Sequence, residues 1–187
     1  MPSLTHRLLL LARWPVIGGL FVAVLAFNLL IFPGLFRWMQ QLRPDVLPPL
    51  DVHLSWSAAE GHAWARSLGD ARPVALLTSL LVDMIYPLVY GLLLILLYLR
   101  YLPWVLPAHW SKGYRLAWLP MLAVWADWLE NLCIAGMAWH APDYPEWLGD
   151  WAAAFTWLKW RLVIGLIALL LVLMIAGLWK RSNAGAG

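Results

Sequence analysis

Four long apolar stretches, at about 15–36, 73–102, 116–139 and 151–179, constrain this chain more than any other feature. Each reaches the roughly 20 residues that carry an α-helix across the hydrocarbon core of a bilayer. No water is available there to satisfy backbone N–H and C=O groups, so such segments fold as helices. The second and fourth exceed the required length and are expected to tilt or protrude. Hydrophobic residues make up 63% of the 187 positions and charged residues 12%, with a mean hydropathy of +0.72. A soluble domain is nearer half apolar and a quarter charged. The expectation is therefore an all-α membrane protein, a single integral domain over 1–187 with four transmembrane helices.

Lysine and arginine placement orients the spans. Arg7 and Arg13 precede the first, Arg100, Lys112 and Arg115 fill the connection between the second and third, and Lys180 and Arg181 follow the fourth. The connection between the third and fourth carries Asp143, Glu146 and Asp150 and no cation. Both termini are thus expected to be cytoplasmic. Arg7 and Arg13 ahead of an apolar run resemble a signal peptide, but the run is too long and offers no small-residue cleavage site, so it reads as a retained first span. The loop 37–72 is then periplasmic. Its first part holds Pro44, Pro48 and Pro49 and cannot be regular helix. Its second part, about 55–68, reads as an interfacial helix with Ser57 and Glu60 as a capping box. Trp56, Ala59, Ala63, Trp64 and Leu68 recur at helical spacing, as expected of a helix flat on the membrane surface that roofs the bundle.

The 15 tryptophans suit the two membrane boundaries, where a ring with an apolar body and one N–H donor is at home. Trp14, Trp104, Trp110 and Trp179 fall near the inner boundary. Trp38, Trp56, Trp64, Trp139, Trp147 and Trp151 fall near the outer one. Trp125, Trp128, Trp157 and Trp160 lie deeper, beside charged residues, and are candidates to line a cavity.

Those charged residues are the second constraint. Asp83, Asp127 and Glu130 interrupt apolar runs, and a carboxylate at the centre of a span costs at least roughly 2.5 kcal/mol on insertion scales. Asp83, Tyr86 and Tyr90 are spaced i, i+3, i+7 on one helix face; Asp127, Glu130 and Asn131 are spaced i, i+3, i+4 on another. Pro87 removes the backbone bond to residue 83 and is expected to kink the helix. The fourth span contributes Thr156 and Lys159 on one face, with Arg161 pointing away, and the first offers only Asn28. With alternating span directions, Asp83, Glu130 and Lys159 each fall about 12–15 Å from the outer end of their helices, so one layer can hold them all.

Three acids against at most two cations leave an imbalance, and two carboxylates on one turn in a dry site cannot comfortably both ionise. A salt-bridge and hydrogen-bond knot that sets helix register explains part of this, since polar contacts between helices in bilayers average only about 0.6 kcal/mol. Acid–base chemistry, binding or proton coupling explains the excess. Other chemistries find little footing. The single Cys133 excludes an internal disulfide or cysteine-based metal site. His6, His53, His62, His109 and His140 are scattered, and Pro142 and Pro145 break any helix that would join His140, Asp143 and Glu146. No metal or cofactor is expected. The net charge of +3 forms no stripe of the kind nucleic acid requires.

Asp83-x-x-Tyr86-Pro87-x-x-Tyr90-Gly91, then Asp127-x-x-Glu130-Asn131 and Thr156-x-x-Lys159, resembles a set of uncharacterised bacterial four-span membrane proteins. These carry a Leu-Gly element ahead of the first motif, as Ser67-Leu68-Gly69 does here. The resemblance covers about residues 55–162 and implies an architecture without an activity. Asp83 to Tyr90 also bears a fainter likeness to the EXPERA group, the sterol isomerase and sigma-two receptor family. That likeness implies a pocket between helices that binds sterol-like amphiphiles through buried carboxylates. The chain lacks the intramembrane histidine of the isomerases, and its Asp-Trp-Leu-Glu-Asn motif has no clear counterpart there.

The expected function is an intramembrane polar pocket for a membrane lipid or small amphiphilic molecule. Asp83, Asp127, Glu130 and Lys159 are its candidate catalytic groups for proton transfer, with Asp83 as base and Glu130 or Asp127 as acid. Tyr86, Tyr90, Asn131, Thr156 and Trp128 are the candidate ligand contacts. Two other classes fit the same residues: an accessory subunit of a larger membrane complex whose cluster is structural, and a small proton-coupled transporter acting as a homodimer.

Overall fold

Two of the long helices change their winding just ahead of a proline. Helix α2 (Trp14–Ala26) passes through a π-helical turn (Phe27–Ile31) into α3 (Phe32–Leu42), whose first turn holds Pro33. Likewise α5 (Arg72–Leu77) passes through a π-helical turn (Thr78–Val82) into α6 (Asp83–Val105), which contains Pro87. A proline lacks the N–H that its i−4 carbonyl needs, and a turn of wider pitch redistributes the bonds around it. The expected perturbation at Pro87 is therefore a π turn over the preceding residues, in which Asp83 N–H bonds back to the Thr78 carbonyl.

The computed structural model describes residues 4–106 and 111–184, all helix and loop, with no strand among the described residues. His109 and Trp110 lie outside the described residues, as do the side chains of His6 and Lys112. A short α1 (Leu4–Leu11) precedes the first rod, and α4 (Ala58–Ser67) lies in the long loop. A 3₁₀ segment, Ser111–Trp118, leads into α7 (Pro120–His140), so the third helix begins later than 116 and carries Pro120 in its first turn, where the missing N–H costs nothing. Helix α8 (Glu146–Ala184) begins five residues before the expected 151 and runs 39 residues without interruption.

Among the described residues three helical runs are long and apolar enough to cross a membrane: Trp14–Leu42, Gly69–Val105 and Glu146–Asn183, of 29, 37 and 38 residues. Four were expected. Helix α7 has the length, at 21 residues, but Asp127, Glu130 and Asn131 sit at its middle and lower its apolarity. One face of it is buried, with Ala123, Val124, Glu130, Met137 and Ala138 fully enclosed, while Leu122, Trp125, Leu129 and Leu132 on the other face are exposed. Close approach of α6 and α7 depends on Gly91, where an added Cβ would stand 2.5 Å from the Val124 side chain.

Two apolar cores stack along the bundle. One is built by α6, α7 and α8 around Leu96, Tyr98, Leu99, Leu102 and Val124. The other, at the end bearing the proline loop, joins Trp56, Trp64 and Leu68 to Met137, Ala138 and Leu148. Helix α4 has the capping box that its sequence announced: Ser57 Oγ accepts from Glu60 N–H while the Glu60 carboxylate accepts from Ser57 N–H. Its apolar face is rotated from the expected stripe. Ala59 and Ala63 are exposed, whereas Gly61, Trp64 and Ala65 are buried with Trp56 and Leu68. The helix packs on protein, against the ends of α7 and α8.

Candidate functional site: a cavity with a polar floor

A cavity of about 670 Å³ opens between the first rod, α6, α8 and the proline loop. Much of its wall is apolar, with Phe32, Leu94 and Val163, and Pro48 and Pro49 of the loop close one side. The polar part of the wall carries Asp83, Asp127, Lys159, Tyr86 and Tyr90. Both π turns border it, through Asn28 on one rod and Thr78 on the other.

Asp127 and Lys159 belong to a connected network that continues behind the cavity wall. Lys159 Nζ stands 2.5 Å from Glu130 Oε2 and 3.6 Å from Asp127 Oδ1. The Thr156 hydroxyl donates to Glu130 Oε1 at 2.6 Å and accepts from Trp56 Nε1 at 2.9 Å. On the other side the Tyr90 hydroxyl donates to Asp127 Oδ2 at 3.0 Å, and Asn131 Nδ2 reaches Asp127 Oδ1 at 3.3 Å. Charge-assisted bonds of this kind are the strong ones, and in a dry interior each member depends on the others.

Asn131 has a second task. Its Nδ2 donates at 2.8 Å to the carbonyl of Asp83, the acceptor that Pro87 leaves without a partner. One turn away, Trp128 Nε1 donates to the Met84 carbonyl at 3.0 Å. Two side chains of α7 thus stitch the proline-broken stretch of α6, which accounts for a Pro and an Asp-x-x-Glu-Asn motif occurring together.

The expected site residues fall into two groups. Asp83, Asp127, Lys159, Tyr86 and Tyr90 line the cavity. Glu130, Asn131, Thr156 and Trp128 do not: Glu130 and Thr156 are 0% exposed, and all four spend their polar groups on other parts of the protein. Among the deep tryptophans only Trp160 lines the cavity; Trp125 and Trp157 face outward at 56% and 47% exposure. Trp56 and Trp64, expected at the outer boundary, are buried instead. Arg161 is exposed, with its guanidinium 3.7 Å from the Trp157 ring centre, so it takes no part in the network.

The Asp83 carboxylate differs from its neighbours. Its residue is 6% exposed and faces the cavity, yet among the described residues no hydrogen-bond donor or cation pairs with it. The Tyr86 ring, in the same cavity wall, packs against Phe27, Phe32 and Tyr90 at centroid distances of 5.2–5.3 Å. Asn28 Nδ2 donates to the Tyr86 hydroxyl oxygen at 2.8 Å and so ties the two π-turn rods together.

The proline loop supplies residues that the motif spacing did not point to. Its 3₁₀ turn Leu50–Val52 brings the Asp51 carbonyl to Trp160 Nε1 at 3.1 Å and Lys159 Nζ at 3.5 Å. Asp51, Pro48 and Pro49 are part of the wall. The run of three prolines was the only sequence signal for this strap, and it marked irregular backbone without saying where it would land. Among the described residues no cluster of three or more His, Cys, Asp or Glu is arranged to hold a metal ion. Set against known proteins, the chain matches no family model, no curated protein and no solved structure.

Proposed function

We propose that this chain is a four-span protein of a bacterial inner membrane that holds one lipid-like or small amphiphilic molecule in its cavity. The observation that carries the reading is the cavity's two-part wall, apolar for most of its surface and acidic where Asp51, Asp83 and Asp127 line it. Its volume lies within the roughly 300–1,000 Å³ typical of sites for one drug-sized ligand, too small for a whole diacyl lipid. Helix α7 serves as the fourth span, because every charged group at its middle is enclosed by its neighbours rather than turned to lipid. The lysine and arginine placement puts both termini in the cytoplasm and the proline loop with α4 on the periplasmic side. The motif likeness to bacterial four-span proteins supports the same architecture.

Proton transfer to a bound molecule would fall to Asp83 and Asp127, which reach the cavity. Glu130 holds Lys159 and is walled off. The test is native mass spectrometry of the full chain released from detergent. Wild-type protein is expected to carry one bound small molecule, and Val163→Trp, which fills the lumen, to carry none. An empty cavity together with a stoichiometric protein partner would make the network an assembly element instead. Proton flux in liposomes would favour a transporter.

A further inference from the structure

The charges around the cavity do not balance. Three carboxylates, Asp51, Asp83 and Asp127, belong to its wall, and Glu130 stands directly behind. Among the described residues Lys159 is the only cation of the wall, and its ammonium is already committed to Glu130 and Asp127. Arg161 points out of the bundle. Among the described residues Asp83 therefore meets the lumen as an acceptor without a donor, in a wall that also carries the rings of Phe32, Tyr86 and Tyr90. An isolated carboxylate removed from water is costly unless a proton or a positive, donor-bearing partner neutralises it. Aromatic faces add attraction for the same kind of partner.

Resting on the pocket reading above, we propose that the ligand is a single-chain or ring-type amphiphile whose polar end is a positively charged amine, with Asp83 as its counter-ion. The ammonium sits between the Asp83 carboxylate and the Tyr86 and Phe32 rings, and the hydrocarbon part lies along Leu94 and Val163. An anionic head group meets Asp83, Asp127 and Asp51 and is rejected. A neutral alcohol satisfies one acceptor and leaves the charge unanswered.

The test uses three probes that share one chain, octadecylamine, octadecan-1-ol and octadecanoic acid, titrated onto the full-length protein in a neutral detergent. An alkyl amine carries its proton at pH 7, as lysine does. The amine is expected to bind about tenfold or more tighter than the alcohol, and the acid weakest. Asp83→Asn should abolish the preference for the amine over the alcohol, whereas Asp83→Glu should retain it. Equal binding of the three probes to wild type overturns the head-group assignment and leaves the pocket reading standing. A preference that survives Asp83→Asn also overturns it. Failure of all three probes to bind sinks the pocket reading as well. The wild-type comparison decides charge selectivity by itself, so the test does not depend on Asp83→Asn folding.

Discussion

The polar layer has a closed side and an open side. On the closed side hydrogen bonds run from Trp56 through Thr156 to Glu130, an ion pair joins Glu130 to Lys159, and Glu130 has no exposed surface. On the open side Asp83 is almost as buried but has no partner among the described residues. Two acids of similar depth and similar sequence setting thus do different things. Where every lone pair is answered, the group holds helices together; where it is not, something from outside the chain is needed. The difference divides a list of polar residues into those that build the site and those that present it.

The sharpest way to break this division is to remove charge from the closed side. Glu130→Gln strands the Lys159 ammonium on a distant Asp127, and loss of one partner of a buried pair costs about 3–5 kcal/mol. Thermal unfolding in detergent should show the largest loss of stability of any single polar change. The double variant Glu130→Leu with Lys159→Met should recover most of it, since apolar replacement of a whole buried pair is often neutral. Next comes Asn131→Ala, which leaves the Asp83 carbonyl unanswered at Pro87. About 1–3 kcal/mol is expected, measured in the same way, with a smaller loss for Trp128→Phe at the more accessible Met84 carbonyl.

A smaller effect belongs to the cap of α4. Glu60 is held below its ordinary 4.5 by the Ser57 hydroxyl and the Ser57 backbone N–H. A carboxylate with a lowered folded-state pKa stabilises above its unfolded value, and that contribution fades as pH falls through the folded value. The destabilisation caused by Glu60→Gln should therefore be measurable at pH 7 and vanish in acid well below 4.5. Least of all, Asp83→Asn should leave stability within about 0.5 kcal/mol of wild type, as expected where no intramolecular partner is lost. A collapse of folded protein on Asp83→Asn comparable to that of Glu130→Gln would erase the distinction between the two sides.

Much of this was legible in the chain. Spacing put Asp83, Tyr86 and Tyr90 on one face and Asp127, Glu130 and Asn131 on another, because a helix of fixed pitch leaves no freedom in that. Depth arithmetic placed Lys159 level with Glu130, and the two are joined. The capping box on α4 was written in four residues. Spacing could not say which of two residues on one face would turn toward a neighbour helix and which toward a lumen, so Glu130 and Asp127 looked interchangeable. Nor could it foresee that Asn131 would serve a carbonyl 48 residues away, or that Trp56 would cross 100 positions to reach Thr156.

Local rules determined that this chain forms long apolar helices, where polar residues interrupt them, and which of those share a face, because backbone geometry and the need to satisfy buried peptide groups act within a few residues. Only the tertiary structure decided that one aspartate stays unpartnered while a neighbouring glutamate is sealed. That outcome depends on the relative rotation and contact of α6, α7, α8 and the proline loop. Distances of a few ångströms between distant parts of the chain, and nothing within any one helix, separate an ion pair from an open acceptor.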